Sequence, residues 1–352
     1  MLVRHRPATQ TLYAQLYELV AAHELELVGG FANGLPIERQ VRGSTYLYWQ
    51  IRGVGGRLRQ IYLGPATDPQ ARKVRDTLAT YKDRRGPIIE DLESLTAAYI
   101  ASGGPRHVGQ HFRVVDALAR AGLFRAGLLL VGSHAFVSIG ASLGVSWSAQ
   151  DAATADIGLC RDELVTVACV EEISVDLPGI LQSLDPSFFL VPELDLKQPS
   201  SSVSSRKTGV KVDLLTPART TRDERPRMVA SLGLAAQPLR YMDYLVRDDT
   251  RRGLFLGPHA VLVNVPDAGR YAFHKLAVAE RRSHGPNSIK SQKDRRQAAA
   301  LIEVLAVDQP GTLTAAAQAA RRYRDRGLLR DIKRSLPHIT ETARNAIGAL
   351  FE

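Results

Sequence analysis

The chain has few of the residues that build disulfide, thiol-metal or heavily aromatic proteins: two cysteines, three methionines and two tryptophans in 352 residues, with aromatics at 6%. Cys160 and Cys169 are too few for a disulfide framework and wrongly spaced for a zinc site, so both are expected as buried thiols in a reducing compartment. No apolar run approaches the ~20 residues that span a bilayer, which argues against a helical membrane anchor. Met1 to Arg6 lead into a polar helix pattern, not the apolar stretch of a secretory leader, so the expected location is cytoplasmic. Acidic residues are also in deficit, 36 against 46 basic ones, a net charge of +10. Such a surface attracts polyanions.

What is present reads as a mixed α+β chain with 45% hydrophobic residues. Leu12, Leu16, Leu19 and Val20 recur at helical spacing, and an alternating, Tyr- and Trp-rich run from Thr45 to Arg52 returns from Arg57 to Leu63 as a basic hairpin. Tyr46, Tyr48 or Trp49 would stack nucleic-acid bases while Arg52, Arg57 and Arg59 meet phosphates; the competing reading is that the aromatics pack against a helix. Asp68-Pro69 opens a long helical region punctuated at Gly86-Pro87, and Gly103-Gly104-Pro105 marks a linker. The expected division is residues 1–105 (helix, β-hairpin, helix), 106–225 (a mixed-sheet core) and 226–352 (a strand pair and helices). In the core, strands are predicted at 127–131, 156–160, 164–169, 188–190 and 211–215, and the serine-rich stretch 199–208 reads as a polar loop.

Chemistry concentrates in three places. A strand ending in Gly132-Ser133 and running directly into a helix puts backbone N–H groups, a hydroxyl and a positive helix end at one point, which suits phosphate oxygens. Asp156 begins one predicted strand and Asp213 lies inside another, between Val212 and Leu214. Carboxylates there are costly unless paired or metal-bound, so they are candidate Mg²⁺ ligands; a strand-end acid capping a loop is the alternative for Asp213. Two magnesium ions bridging such acids and a triphosphate would activate an attacking hydroxyl and stabilise departing pyrophosphate.

The series Gly132-Ser133-His134-Ala135, Thr154-Ala155-Asp156-Ile157, Val212-Asp213-Leu214-Leu215-Thr216-Pro217 and His274-Lys275-Leu276 resembles the nucleotidyltransferases of the DNA polymerase β-like superfamily, and within it the bacterial Abi-type branch, which includes toxin components of toxin–antitoxin and phage-abortive systems. The likeness covers roughly residues 125–305, and Tyr62-Leu63-Gly64-Pro65 resembles the amino-terminal part of such proteins. It implies a small mixed sheet, a nucleoside triphosphate donor and Mg²⁺, with Gly132 and Ser133 holding the triphosphate, Asp156 and Asp213 binding metal, and Lys275 and the Lys293-Asp294 region meeting phosphates. Where the family has the second acid of Asp-x-Asp, this chain has Gly158. Residues 156, 158, 160 and 162 share one strand face, so a glycine there removes a ligand; Asp162 lies two pleats, ~13 Å, from Asp156 and would need a bend to replace it. Glu171 and Glu172 are further substitutes that nothing in the sequence demands.

His134 and His274 sit in apolar surroundings that suit structural histidines better than general bases. A basic set after Lys275, including Arg281, Arg282, Lys290, Lys293, Arg295 and Arg296, and the Arg-rich stretch from Arg321 to Arg334, would meet phosphates, an RNA such as tRNA, or an acidic partner. Three functions follow: nucleotidyl transfer from an NTP to an acceptor hydroxyl, with RNA favoured by the charge; nucleotide or RNA binding without transfer, because of Gly158; and a partner-binding module held by an antitoxin protein.

Overall fold

The computed structural model describes residues 2–27, 34–41, 43–52, 58–161, 175–247, 250–283 and 288–352; for 25–27, 52, 59 and 80–86 it describes backbone only. The predicted strand 164–169, with Cys169, and the acids Asp162, Glu171 and Glu172 lie outside the described residues. Cys160 is buried, as expected.

The amino-terminal part runs β1 (Val3–Arg4), α1 (Pro7–Leu27), β2 (Gly34–Val41), β3 (Ser44–Arg52), β4 (Leu58–Pro65) and α2 (Pro69–Ala101). The expected hairpin is β3–β4, but β2 adds a third antiparallel strand. Its sequence, with Pro36, Glu38 and Arg39, suits an edge position, where a missing N–H costs no ladder bond. The predicted break at Gly86-Pro87 does not occur: α2 continues through Pro87, capped by Asp68 at its start and anchored by buried Ala71 near one end and Leu92 and Tyr99 near the other.

The rest runs α3 (Gly109–Arg120), β5 (Leu129–Val131), α4 (Gly132–Ser142), β6 (Val145–Ser146), α5 (Ala149–Ala152), β7 (Asp156–Cys160), α6 (Leu177–Leu184), β8 (Phe188–Leu190), β9 (Ser202–Ser205), β10 (Lys211–Pro217), β11 (Arg227–Val229), β12 (Leu234–Leu239), α7 (Met242–Val246), β13 (Thr250–Leu256), β14 (Ala260–Pro266), α8 (Ala268–Arg282), α9 (Ser288–Asp308), α10 (Pro310–Arg322), α11 (Gly327–Ser335) and α12 (Glu341–Ile347). A nine-stranded mixed sheet has the path β11-β12-β10-β7-β5-β14-β13, with β9 on β10 and β8 on β9. It draws strands from both sides of residue 225. The sheet's centre, with α3, α6, α8 and α9, forms the main hydrophobic core; α1 and α2 close a second core over β13 and β14 through Leu16, Val20, Leu92, Tyr99, Leu254 and Leu262.

The serine-rich stretch is the clearest departure from expectation. Ser202–Ser205 is a strand, β9, antiparallel to both β8 and β10, and Val203 is fully buried. Its hydroxyls find partners only in three dimensions: Ser202 Oγ donates to Asp213 Oδ1 at 2.6 Å, and the Ser205 and Ser187 hydroxyls share a 2.8 Å bond. A satisfied small hydroxyl is cheap to bury, so local polarity is a poor guide there.

Candidate nucleotide site

β7 and β10 are parallel neighbours, pairing Asp156 with Lys211 and Asp213 with Gly158. Period-2 alternation sends Ile157, Leu159, Val212 and Leu214 into the core, fully buried, and leaves Asp156, Gly158, Lys211 and Asp213 together on the opposite face. On the other side of β7, Gly158 pairs with Val131, the last residue of β5. One row across the sheet is therefore Ser202, Asp213, Gly158 and Val131, ending beside the turn into α4.

At that turn Gly132 has φ +69°, a left-handed conformation that disfavours any side chain, and a Cβ built there would meet nothing within 4 Å. The turn is thus sharp and open above, with the first N–H groups of α4 presented at its N-terminus. It is clamped from α8 and α9: Tyr271 donates to the Gly132 carbonyl at 2.9 Å, and Ser133 Oγ accepts from Lys293 Nζ at 2.9 Å and Gln297 Nε2 at 3.2 Å. Lys293 also donates to the Ala153 carbonyl, and Gln297 to that of Asp151 at 2.7 Å, so the same helix fixes the segment leading into β7. Burial, then the charge of Lys275, lowers the Lys293 pKa.

α8 starts at Asp267, whose carboxylate accepts from the N–H groups of Gly269 and Arg270 at 2.9 and 3.1 Å. Lys275 and Arg282 from this helix converge on Asp294 of α9, each at 2.6 Å and on a different carboxylate oxygen. Asp294 is 3% exposed. Burial alone would raise its pKa, but the Lys275 and Arg282 charges and hydrogen bonds outweigh that and hold it below the usual 3.8. Asp294 thus sets the positions of two cations, and they face the cavity. His274 is buried in the same wall, and burial pushes its pKa down to about 3, so it stays neutral beside Lys275.

Gly132, Gly158, Lys275, Arg281 and Arg282 line one cavity of about 590 Å³, together with Gln237 and Thr220. Asp213 and Lys211 line an adjoining cavity of about 400 Å³; the two share Leu215 and Gln237. Ser133, Asp156, Lys293 and Asp294 line neither of the two; Ser133, Lys293 and Asp294 act through the bonds just described. The sequence did not single out Lys211, Ser202, Tyr271 or Gln297. Lys211 was readable, standing two residues before Asp213 on the same face of a strand, whereas the other three needed the tertiary contacts.

A nucleotidyltransferase family model matches residues 110–322, more than half of the chain. The chain belongs to the nucleotidyltransferase family. No curated protein and no solved structure matches it. The family generally uses an NTP and a divalent metal, and in this nucleotidyltransferase the residues that bear on a metal are Asp156, Gly158, Lys211 and Asp213. Lys211 Nζ lies 2.8 Å from Asp213 Oδ1, on the oxygen that also accepts from Ser202. Burial pulls Lys211 down, but Asp213, with Asp156 and Glu193 behind it, more than offsets this and its pKa is raised. Among the described residues no group of three or more His, Cys, Asp or Glu side chains is placed to hold a metal. Asp156 and Asp213 offer hard oxygens on one face of adjacent strands, a donor set suited to Mg²⁺, which commonly takes one or two carboxylates and completes its shell with substrate phosphate and water. Among the described residues no helix is long and apolar enough to cross a membrane.

Proposed function

We propose that this protein transfers a nucleoside monophosphate from an NTP to an acceptor hydroxyl on RNA, tRNA being the class favoured by the basic surface. The observation that carries the reading is the convergence of the Gly132 turn, Gly158 and the Lys275–Arg282 pair on one cavity beside the Asp213 strand. The α4 N-terminus and Gly132 receive the triphosphate, and Lys275, Arg281 and Arg282 neutralise its charge. Asp156 and Asp213 would hold Mg²⁺, which when bound with the triphosphate supplies charge stabilisation at the reacting phosphate. The acceptor oxygen forms a bond to the α-phosphorus, the bond from that phosphorus to the β-phosphate oxygen breaks, pyrophosphate leaves, and a carboxylate of the Asp156–Asp213 pair takes the hydroxyl proton. Such a transferase acting on cellular RNA fits a toxin restrained by an antitoxin protein.

Incubation with each α-labelled NTP, Mg²⁺ and total tRNA should label the RNA, and Asp213→Asn should lower the labelling about 10²–10³-fold. No transfer with any NTP, from protein that binds the nucleotide, would reject the reading. Gly158 supports a second one: the chain binds NTP without transferring it, because the carboxylate between Asp156 and Asp213 is absent. Labelling by the unmodified protein would exclude that.

A further inference from the structure

The β2–β3–β4 sheet lies outside the nucleotide site, and its two faces differ sharply. One face buries Leu47 and Trp49, at 1% and 0% exposure, and a Cβ at Gly34 would fall 1.8 Å from the Trp49 ring nitrogen, so that face is committed to packing. Trp49 is therefore removed from the residues expected to stack on bases. The other face carries Tyr46 and Tyr48 on β3 and Tyr62 on β4, with Tyr48 registered directly opposite Tyr62. A bulge between Leu47 and Tyr48 breaks the register there, and the three rings cluster around Tyr62, 5.4 Å from Tyr48 and 6.0 Å from Tyr46 between centroids. Tyr62 is 53% exposed. From β2 the Arg39 guanidinium sits 5.8 Å from the Tyr48 centroid.

Three tyrosines side by side on one sheet face, Tyr62 exposed and Tyr46 and Tyr48 half-buried, with an arginine over Tyr48, make a sequence-tolerant surface for unstacked bases. Charge selects the occupant. The sequence of residues 34–65 has five arginines and one acid, Glu38, which lies 3.6 Å from Arg75 of α2; Arg39 is the one of the five whose side chain is described, and it lies on the tyrosine face. A basic segment that carries such an aromatic face suits a polyanion with exposed rings and repels a basic partner. We propose that this face binds single-stranded RNA by stacking bases on Tyr46, Tyr48 and Tyr62, with Arg39 contributing cation–π and phosphate contacts. The choice of RNA over DNA rests on the acceptor proposed above; the stacking geometry does not.

The test uses the full chain without NTP and a fluorescein-labelled, unstructured RNA of about 12 nucleotides, within the range such surfaces cover. Anisotropy should show binding that weakens with salt. Tyr46→Ala and Tyr62→Ala should each weaken it about tenfold, while Tyr62→Phe, which keeps the ring and reports on folding, should bind as the parent does. Arg39→Gln should lower the slope of log K against log salt by about 0.7. Unchanged affinity in Tyr62→Ala, or equal loss in Tyr62→Phe, would overturn the platform. DNA of the same sequence, or duplex RNA, binding as tightly would overturn the assignment to single-stranded RNA. Because no turnover is measured, RNA binding through the tyrosines alongside failed labelling would reject the transfer reading alone.

Discussion

In one wall of the main cavity two cations converge on Asp294, a carboxylate almost wholly removed from water; in the adjoining cavity, Asp213 shares one oxygen between Ser202 and Lys211 and has a glycine beside it on the neighbouring strand. The cationic wall is assembled by long-range buried bonds between α8 and α9, whereas the acidic edge is assembled by strand register. The two constructions fail differently. A buried ion network collapses when one member is removed, but a sheet edge tolerates a missing side chain because the backbone ladder holds its shape without it. That difference explains how the chain keeps a complete fold around Gly158.

The largest expected effect follows from removing the centre of the wall. Asp294→Asn leaves Lys275 and Arg282 without their common anion and should destabilise the fold by about 3–5 kcal/mol, measured by urea unfolding. A loss comparable to that of a surface substitution would mean the wall is not the buried network described. On the acidic edge, Asp213→Asn should leave stability little changed but lower transfer about 10²–10³-fold, if Asp213 acts on the charge that develops in the reaction. Large destabilisation there would erase the contrast between the two sides.

Acid should weaken the wall and the core beside it. Burial holds His274 in the wall, and His107 in the core beside β13, down at about 3, so both stay neutral in the folded protein while an unfolded histidine takes up its proton near 6.5. The unfolded state therefore binds more protons between those values. Stability is complete above about pH 6.5 and declines as pH falls toward about 3, by up to roughly 1.4 kcal/mol per pH unit for each histidine. Asp294 adds slope only at the acid end of that window, because its contribution is lost only below about pH 4. Unfolding free energies that stay flat between about pH 7 and 5 would show that these rings are hydrated in the native state.

Gly132→Ala should cost about 1–2 kcal/mol, because φ +69° is a left-handed position and the open space above it adds no clash. Its KM for NTP should rise as the turn relaxes; an unchanged KM would separate the turn from triphosphate binding.

Much of the acidic edge was legible from the chain itself. The alternation of Asp156-Ile157-Gly158-Leu159 and Val212-Asp213-Leu214 fixes strands and faces, and Gly132 before a helical stripe fixes the turn. The wall was less legible. Asp294 lies 19 residues from Lys275 and 12 from Arg282, and only the packing of α8 on α9 makes their meeting visible. β9 was hidden for a related reason: serine reads as loop until its hydroxyl partners, Asp213 among them, are known. Sequence periodicity reports what the local backbone does with apolar residues, and it is silent on polar groups satisfied from a distance.

The smallest expected effect bears most directly on the gap in the edge. A Cβ at residue 158 would come 3.1 Å from Val131 Cγ2, close enough that Val131 must give by a few tenths of an ångström but not a collision with backbone. Gly158→Asp should therefore fold with a small loss of stability, and its carboxylate would stand in the row between Asp213 and Val131, facing the cavity. If the edge lacks only a ligand, the variant should bind Mg²⁺ with NTP about tenfold more tightly than the parent by calorimetry, an effect of the size that supporting groups exert on metal sites. The double variant Gly158→Asp with Lys211→Gln separates the two causes of a weak edge, because Lys211 also lies on Asp213. A gain that appears only in the double variant would place the deficiency in the lysine, and no gain in either would mean that Asp156 and Asp213 already complete the site with the triphosphate.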